Sequence, residues 1–338
     1  MKEKKKVKFV GFWDGFNPKN CIIWDILNKN FDVEICEDPD FIICNVWNNF
    51  EYCKYPQVRI LLEGENITPD FNIVDYAITP YPIDFLDRNC AIVGGVEAYL
   101  RKQTHMDDLV KKDRNYSDSF LKGKTVFATF ISAHESENNI RGDFFKKLCK
   151  YKEVDSVGTY LCNRPNIKTT WFNNSKTDYQ RKGKFALCFE STKSEGFITE
   201  KIVDAFYADT IPIYYGSSTV NTVFNEKAFI NCTSFPNFDA VIDKIIELDN
   251  DDDKYMEMMR QPIFVNRNFP ELQRKRLEEY IIKIFSQSPK QACRRPHVLW
   301  GGAINSYLEN SVDLSQTSSK FLIGEVIKRI KKKIFRKK

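Results

Sequence analysis

The run from Phe185 to Gly216 constrains the fold more than any other part of the chain. It consists of FALCFE, STKSEGFI, TEKIVDAFYAD and TIPIYYGS, in that order. The first and last segments are continuous apolar runs, which predicts buried strands, and the third has apolar residues at helical spacing. Fully apolar strands are typical of a parallel sheet that is covered on both faces. The run therefore predicts a βαβ unit in an α/β protein.

Strand-like and helix-like segments also alternate through the rest of the chain, and 338 residues suit two domains of ordinary size. We expect one domain at residues 1–122, a second at 123–268, and closing helices at 269–310 that pack back toward the first domain. The charged stretch 101–124 contains few apolar residues. It is predicted to be a flexible insertion or linker.

The basic charge of the chain is concentrated at its C-terminus. Residues 320–338 contain nine Lys or Arg and one acid, a net charge of +8, which leaves −3 for the rest of a chain whose total is +5. Within this tail Ile323, Ile327, Ile330 and Ile334 lie on one helical face. The pattern predicts a basic amphipathic helix suited to an anionic membrane surface, with a nucleic-acid-binding arm or a purely structural helix as alternatives.

The ten cysteines are scattered, and the sequence has no CxxC pair and three histidines far apart. These features favour small buried thiols in a reducing compartment over a disulfide framework or a zinc site. The acidic run 249–253 is expected to be solvated surface between two helices. No secretory signal and no run of about 18 apolar residues is found, so a cytoplasmic or peripheral membrane protein is expected.

The junction before the helix of the βαβ unit predicts a nucleotide site. A loop between a parallel strand and a helix N-terminus is where doubly wound folds bind phosphorylated ligands. Thr199 is a predicted N-cap, Lys201 adds a positive charge, and Glu200 could bind ribose hydroxyls. A well-capped structural helix explains the same residues equally simply. The chain has no Walker A loop and no GxGxxG motif.

The run 185–235 closely resembles the donor-binding signature of the α1,3-fucosyltransferases, glycosyltransferase family 10, and especially of the bacterial members. GEN at 64–66, DFNIVDYAI at 70–78 and DFLDR at 84–88 also resemble that family. The resemblance extends over about residues 7–285. It implies a GT-B fold, in which two Rossmann-like domains face a cleft, with the acceptor bound mainly by the first domain and GDP-fucose by the second.

The resemblance also implies roles for single residues. Glu65 matches the proposed general base of an inverting reaction, although Glu63 lies next to it and an ordinary turn carboxylate would look the same. Glu200 and Lys201 match the pair that binds ribose and phosphate. Arg164 matches a second donor-binding cation, with Arg181 or a surface role for Arg164 as alternatives.

The donor segment departs from the family pattern at two positions. Glu190 is followed by Ser191 where the family usually has Asn, and Phe197 stands where Tyr is common. Glu190, Ser191 and Phe197 complete the predicted donor site. Phe197 lacks the hydroxyl that Tyr would offer. The segment NCAIVGGVEAYL at 89–100 also differs from the family pattern, on the acceptor side.

The resemblance implies transfer of L-fucose from GDP-fucose to O3, or O4, of GlcNAc in Gal-GlcNAc glycans. The products would be Lewis-type structures, such as those on lipopolysaccharide. Basic residues can neutralise the diphosphate, so no essential divalent metal is expected. No other cofactor and no nucleic-acid partner are expected either. Together with the tail, the resemblance implies a position on the inner face of the cytoplasmic membrane. The alternatives are a GT-B enzyme for another nucleotide sugar and an inactive nucleotide- or glycan-binding protein.

Overall fold

The computed structural model describes residues 2–47, 50–101, 105–112, 114–117, 119–170, 173–296 and 298–311. Over these ranges the chain forms two β-sheets. The sheet of the first domain contains β1 (Lys4–Val10), β2 (Asp32–Ile35), β3 (Phe41–Cys44), β4 (Val58–Leu62), β5 (Tyr76–Thr79) and β6 (Asn89–Ala91). The sheet of the second domain contains β7 (Val126–Phe130), β8 (Val154–Ser156), β9 (Gly183–Phe189), β10 (Ile211–Tyr215) and β11 (Ile230–Asn231).

Both sheets have the strand order of a doubly wound fold. The first has the order β2-β1-β3-β4-β5-β6 and the second β8-β7-β9-β10-β11, and neighbouring strands are parallel. The order reverses between β1 and β3 in one sheet and between β7 and β9 in the other. Ligands of such sheets bind outside the carboxyl ends of the strands at this reversal. The predicted α/β architecture with two Rossmann-like domains is confirmed.

Strand β9 shows why the central strands are apolar without interruption. Phe185, Leu187 and Phe189 enter one hydrophobic core, whereas Ala186 and Cys188 enter another. Successive side chains of a strand point to opposite faces, so a strand that is covered on both faces is apolar at every position. The predicted βαβ unit is therefore present, with both faces of its sheet buried.

The helices cover these faces, and one of them returns to the first domain. They are α1 (Ile22–Asn30), α2 (Val96–Leu100), α3 (His105–Lys111), α4 (Ile140–Leu148), α5 (Ser175–Gln180), α6 (Glu200–Tyr207), α7 (Phe238–Asn250), α8 (Asp252–Arg260), α9 (Phe269–Phe285) and α10 (Pro289–Ala292). Leu277, Ile281 and Phe285 of α9 pack in the core of the first domain. Residues 299–311 are also helical. Their Glu309 forms a 2.7 Å ion pair with the buried Arg59.

The expectation of a flexible stretch at 101–124 is wrong, whereas the expectation of solvated surface at 249–253 holds for the exposed Asp252 and Asp253 but not for Asp249. The stretch 101–124 contains α3, whose Met106 and Leu109 are buried in the same core as Ile202 of α6. Two apolar residues at i and i+3 are enough to anchor a short helix when a neighbour covers them. In the acidic run 249–253, the Asp249 side chain is only 3% exposed, because Lys152 and Lys184 pair with it at 2.9 and 3.2 Å.

None of the ten cysteines, all of which lie within the described ranges, forms a disulfide, and six of them are buried, as expected for small apolar side chains. No helix among the described residues is long and apolar enough to cross a membrane. The predicted amphipathic helix at 320–338 lies outside the described residues.

Candidate functional site

Glu190 anchors the start of α6 at the carboxyl end of β9. Its carboxylate is fully buried and accepts hydrogen bonds from the backbone N–H and the hydroxyl of Thr199, both at 2.8 Å. The ammonium group of Lys201 donates a third, at 3.0 Å. A buried carboxylate is tolerated when charged and polar donors surround it in this way. Strand β9 lies beside β7, so the cluster stands where the strand order reverses.

Thr199 occupies the N-cap position of α6, but its side chain does not cap the helix. The hydroxyl donates to Glu190 and accepts from Lys201 at 2.8 Å. The predicted N-cap position is confirmed, but the side chain makes no capping hydrogen bond, because the buried carboxylate competes for the hydroxyl. The positive end of the helix dipole is thus not neutralised by a cap from Thr199, which favours an anion at this helix start.

Lys201, Glu200 and Lys176 form a charged group around the helix start. The Glu200 carboxylate is 3.9 Å from the Lys201 ammonium and 3.7 Å from that of Lys176. Burial opposes ionisation of Glu200, but the two lysine charges outweigh it and lower its pKa to about 2. Burial likewise opposes the charge of Lys201, but Glu190 and Glu200 raise its pKa. Both side chains are therefore charged at neutral pH.

Phe197 contributes to the contact between the domains. It is 2% exposed, and its ring stacks on that of Tyr81 with 5.9 Å between centroids. The Tyr81 hydroxyl in turn donates to Asn66, in the loop that contains Glu65. Ser191 is half-buried, directly after Glu190, and its carbonyl accepts from the Glu137 N–H at 2.9 Å. The departure from Tyr to Phe thus falls at an aromatic contact between the loop after β5, which contains Tyr81, and the loop before α6.

Glu65 lies in the loop after β4, at the carboxyl edge of the first sheet. Its side chain is exposed, and its backbone N–H donates to the buried Glu63 at 2.7 Å. Partial desolvation by the surrounding protein raises the pKa of the Glu65 carboxyl, while the positive charge of Lys201 acts in the opposite direction. The charges of Lys201 and Glu200, on the second domain, thus act on Glu65, on the first.

Glu63, the neighbour with which Glu65 could be confused, has a different environment. Its side chain is fully buried, and burial raises its pKa to about 7. Its Oε1 atom holds the Glu65 backbone, so Glu63 supports the loop from inside the domain. Of the two, Glu65 is the exposed carboxylate that a substrate could reach.

Arg164 follows β8 and is held by two carboxylates. Its guanidinium pairs with Glu153 at 2.9 Å and with Asp155 at 2.7 Å, and the Glu153 hydrogen bond raises its pKa. Within the described ranges, Arg164 forms no hydrogen bond or ion pair with Glu190, Thr199 or Lys201. The alternative, Arg181, donates to Asp209 and to the Tyr207 carbonyl, at the opposite end of α6. Arg164 as the second cation stays a prediction.

Arg141 is a cation at this site that the sequence reasoning did not identify. Its guanidinium is buried and donates to the carbonyl of Phe189 at 2.8 Å and to Ser132 and His134. Burial lowers its pKa, and Glu190 opposes this effect. It lies in the first turn of α4, where nothing in the local sequence distinguishes it from a surface arginine.

The described residues contain no group of three or more His, Cys, Asp and Glu side chains arranged to hold a metal ion.

Comparison with known proteins identifies both domains. Residues 7–92 match the alpha-(1,3)-fucosyltransferase FucT N-terminal domain, and residues 121–268 match the C-terminal domain of the glycosyltransferase family 10 fucosyltransferases. The alpha-(1,3)-fucosyltransferase FucT of Helicobacter pylori is 29% identical over 71% of this chain and 56% of its own length. A putative fucosyltransferase of Acanthamoeba polyphaga mimivirus is 29% identical over 47% of this chain and 27% of its own length.

These relatives are longer than the segment they share with this chain, which spans about half of the first and a quarter of the second. Among solved structures, an alpha1,3-fucosyltransferase with GDP-fucose is 25% identical, with a TM-score of 0.64 over 83% of this chain and 91% of that one. The predicted GT-B arrangement is confirmed by this neighbour. The two family matches, which lie in order on the two domains, show that the chain belongs to glycosyltransferase family 10, the fucosyltransferases.

Proposed function

We propose that this protein transfers L-fucose from GDP-fucose to a hydroxyl group of a Gal-GlcNAc glycan, with inversion at the anomeric carbon. The observation that carries the proposal is the Glu190–Thr199–Lys201 cluster at the start of α6, whose charges act on Glu65 of the other domain. The neighbouring structure solved with GDP-fucose supports the choice of donor.

The donor would bind at the start of α6. Its diphosphate is attracted by the N-terminal end of the helix dipole and by the Lys201 ammonium, while the ionised Glu200 accepts hydrogen bonds from ribose hydroxyls. Glu190 keeps Lys201 and the first turn of α6 in position. Ser191 and Phe197 border the same loop, and Arg164 would supply a second positive charge to the diphosphate.

The reaction requires a base and a stabilised leaving group. Glu65 would accept the proton of the acceptor hydroxyl while that oxygen attacks the anomeric carbon of fucose from the side opposite the diphosphate. The bond to GDP breaks in the same step, and negative charge grows on the diphosphate. Lys201 and the helix start stabilise that charge most strongly in the transition state, which lowers the barrier.

The acceptor atom would be O3 of GlcNAc, or O4, and the product a Lewis-type glycan of the kind found on lipopolysaccharide. This part of the proposal rests on the likeness to the H. pylori alpha-(1,3)-fucosyltransferase. We further propose that no divalent metal is required, since the Lys201 ammonium and the helix start can neutralise the diphosphate.

One assay tests donor, acceptor and metal together. The full chain is incubated with N-acetyllactosamine and either GDP-fucose or a UDP-sugar, with and without EDTA, and both glycan product and released nucleotide are measured. We expect product from GDP-fucose alone, unchanged by EDTA. Product from a UDP-sugar would support a different GT-B enzyme. Nucleotide binding without product would support an inactive binding protein.

We also propose that the protein associates with the inner face of the cytoplasmic membrane. The tail at 320–338 has a net charge of +8, which suits an anionic lipid surface. The preceding helix, at 299–311, also supports membrane association. Trp300, Ile304 and Tyr307 lie on one face of that helix and are 84%, 50% and 70% exposed, whereas Glu309 is turned toward Arg59. Trp and Tyr are enriched where proteins meet the membrane interface.

Vesicle sedimentation tests the membrane proposal. We expect binding of the full chain to vesicles with anionic lipid at low salt, loss of binding at high salt, and loss on deletion of 320–338. Replacing Trp300, Ile304 and Tyr307 together by Ser in the full chain should also weaken binding to these vesicles. Failure of the full chain to bind at low salt would contradict the proposal.

A further inference from the structure

The segment that departs from the family pattern, at 89–100, connects the two halves of the site. The Gly94 N–H donates to the carbonyl of Ile198 at 2.9 Å, just before α6 begins. Gly95 has a φ of +96°, and a Cβ atom there would lie 3.2 Å from the Glu200 nitrogen. Glycine is required for this approach, because other residues are strained at such a φ and a side chain would crowd α6. Helix α2 of the first domain thus begins directly against the donor helix.

Glu97, in the first turn of α2, lies against the loop 63–75, which contains Glu65 and is called the base loop below. A Cβ atom added to Gly64 would be 1.8 Å from its Oε2 atom, so the carboxyl group is in contact with the backbone one residue before Glu65. Its Oε1 atom is buried and has no hydrogen-bond partner within the described structure. Glu97 and Glu200 line the same small cavity, of about 30 Å³, between the domains.

The groups around this cavity carry mostly negative charge. Arg101, directly after α2, and His105 and Asp107 on α3 line it together with Glu200 and Asp204 of α6. The Lys176 ammonium pairs with these last two acids, at 3.7 and 2.7 Å. Glu63 and Glu65 act on Glu97 from the base loop. Burial, followed by the charges of Glu200, Glu63 and Glu65, raises the pKa of Glu97 to about 8. Glu97 is therefore mostly protonated at neutral pH, and its ionisation adds another negative charge beside a site for a diphosphate.

We propose that Glu97 is a positioning residue that couples the base loop to the donor helix. As a neutral acid it supports the Gly64 backbone and leaves the positive helix start available to the donor. As a carboxylate it repels both the donor diphosphate and the ionised Glu65. This inference rests on the proposed function, because it assigns the diphosphate to the start of α6.

The first test measures the affinity for GDP by calorimetry from pH 7 to pH 9 in the full chain. If ionised Glu97 prevents binding, a group with a pKa of about 8 weakens the wild-type affinity about tenfold over this range. Glu97→Gln resembles the protonated acid, so it should keep the affinity at pH 7 and lose this decline. Glu271→Gln, on the surface of α9, is the matched control and should behave as the wild type. Parallel curves for the wild type and Glu97→Gln would overturn the inference.

The second test is a double-mutant cycle on the contact itself. Gly64→Ala places a methyl group where the Glu97 carboxyl lies, and we expect it to lower fucose transfer at least tenfold. In a Glu97→Ala background the space is open, so the same change should cost less than threefold. Equal losses in both backgrounds would overturn the inference, provided that circular dichroism shows all variants folded. Absence of any GDP binding in the wild type would instead contradict the proposed function.

Discussion

The carboxylate of Glu190 takes the Thr199 hydroxyl away from the helix that Thr199 begins, with a hydrogen bond of 2.8 Å. Thr199 occupies an N-cap position without capping, and the same carboxylate holds Lys201 at 3.0 Å. One buried acid thus has two effects that favour an anion at the start of α6, because it takes up the hydroxyl that would otherwise cap the helix and it holds the Lys201 charge in place.

Glu190→Gln should weaken GDP binding about tenfold or more. An amide keeps the shape but has one acceptor oxygen where the carboxylate uses two, and Lys201 loses its buried counter-ion. Isothermal calorimetry gives the affinity, and thermal unfolding reports the accompanying loss of stability. The control is Glu195→Gln, an exposed acid of the same loop, which should leave GDP affinity unchanged. Wild-type affinity in Glu190→Gln would contradict the anchoring role.

Glu65→Gln should abolish fucose transfer and preserve GDP binding. The amide cannot accept the acceptor proton, whereas the donor contacts lie on the other domain. Wild-type kcat should decline as the pH is lowered, because acid protonates the base. Since the pKa of Glu65 is raised above its ordinary value, this decline should begin at a higher pH than it would for an ordinary glutamate. A pH–rate profile checks this, with Asp70→Asn, an exposed acid of the same loop, as control. An active Glu65→Gln enzyme would exclude Glu65 as the base.

Glu63 should make the protein less stable as the pH rises. Its pKa is about 7 in the folded state against 4.5 ordinarily, so the folded state holds a proton that the unfolded state releases. Stability is therefore lost between about pH 4.5 and pH 7, by about 3 kcal/mol for this group, and the loss then levels off. Urea unfolding at a series of pH values should show a flatter dependence for Glu63→Gln. An identical slope in the variant would count against the buried acid.

Arg164→Ala should weaken GDP binding about tenfold if Arg164 is the second cation, while Arg181→Ala should have no effect. Arg181 binds Asp209 and Tyr207 at the far end of α6. Arg164 is held by Glu153 and Asp155, so Glu153→Ala serves as the control for loss of that ion pair alone. If Arg164→Ala and Glu153→Ala alter only thermal stability, Arg164 is a structural residue.

Gly196→Ala should destabilise the protein by about 2 kcal/mol or more, from backbone strain and a steric clash together. Gly196 has a φ of +76°, and a Cβ atom there would lie 2.1 Å from Pro82 of the other domain. Gly15 has a φ of +81° and open space around it, so Gly15→Ala measures the backbone strain alone. Gly123 has open space without such a φ, so Gly123→Ala should cost neither strain nor a clash. Thermal unfolding of the three variants separates the terms. Equal losses of stability for Gly196→Ala and Gly15→Ala would mean that Pro82 moves aside without a measurable cost.

Local pattern was sufficient for the elements of the fold. The apolar strands at β9 and β10 and the amphipathic α6 follow from side-chain periodicity, which is a property of neighbouring residues in the chain. The local pattern did not predict α3, because Met106 and Leu109 are buried by α6, almost a hundred residues later in the chain. The burial of Asp249 was not predicted for the same reason, since its partners Lys152 and Lys184 are distant in sequence.

The sequence by itself determined the α/β class, the two domains, the family and the helix start at Thr199. Only the tertiary structure decided how these parts act on one another. It turned the Thr199 hydroxyl to Glu190, brought Lys201 within electrostatic reach of Glu65, and set Glu97 against Gly64. The physical reason is that hydrogen bonding, burial and charge depend on distances in space. Folding sets those distances between residues that the chain keeps far apart.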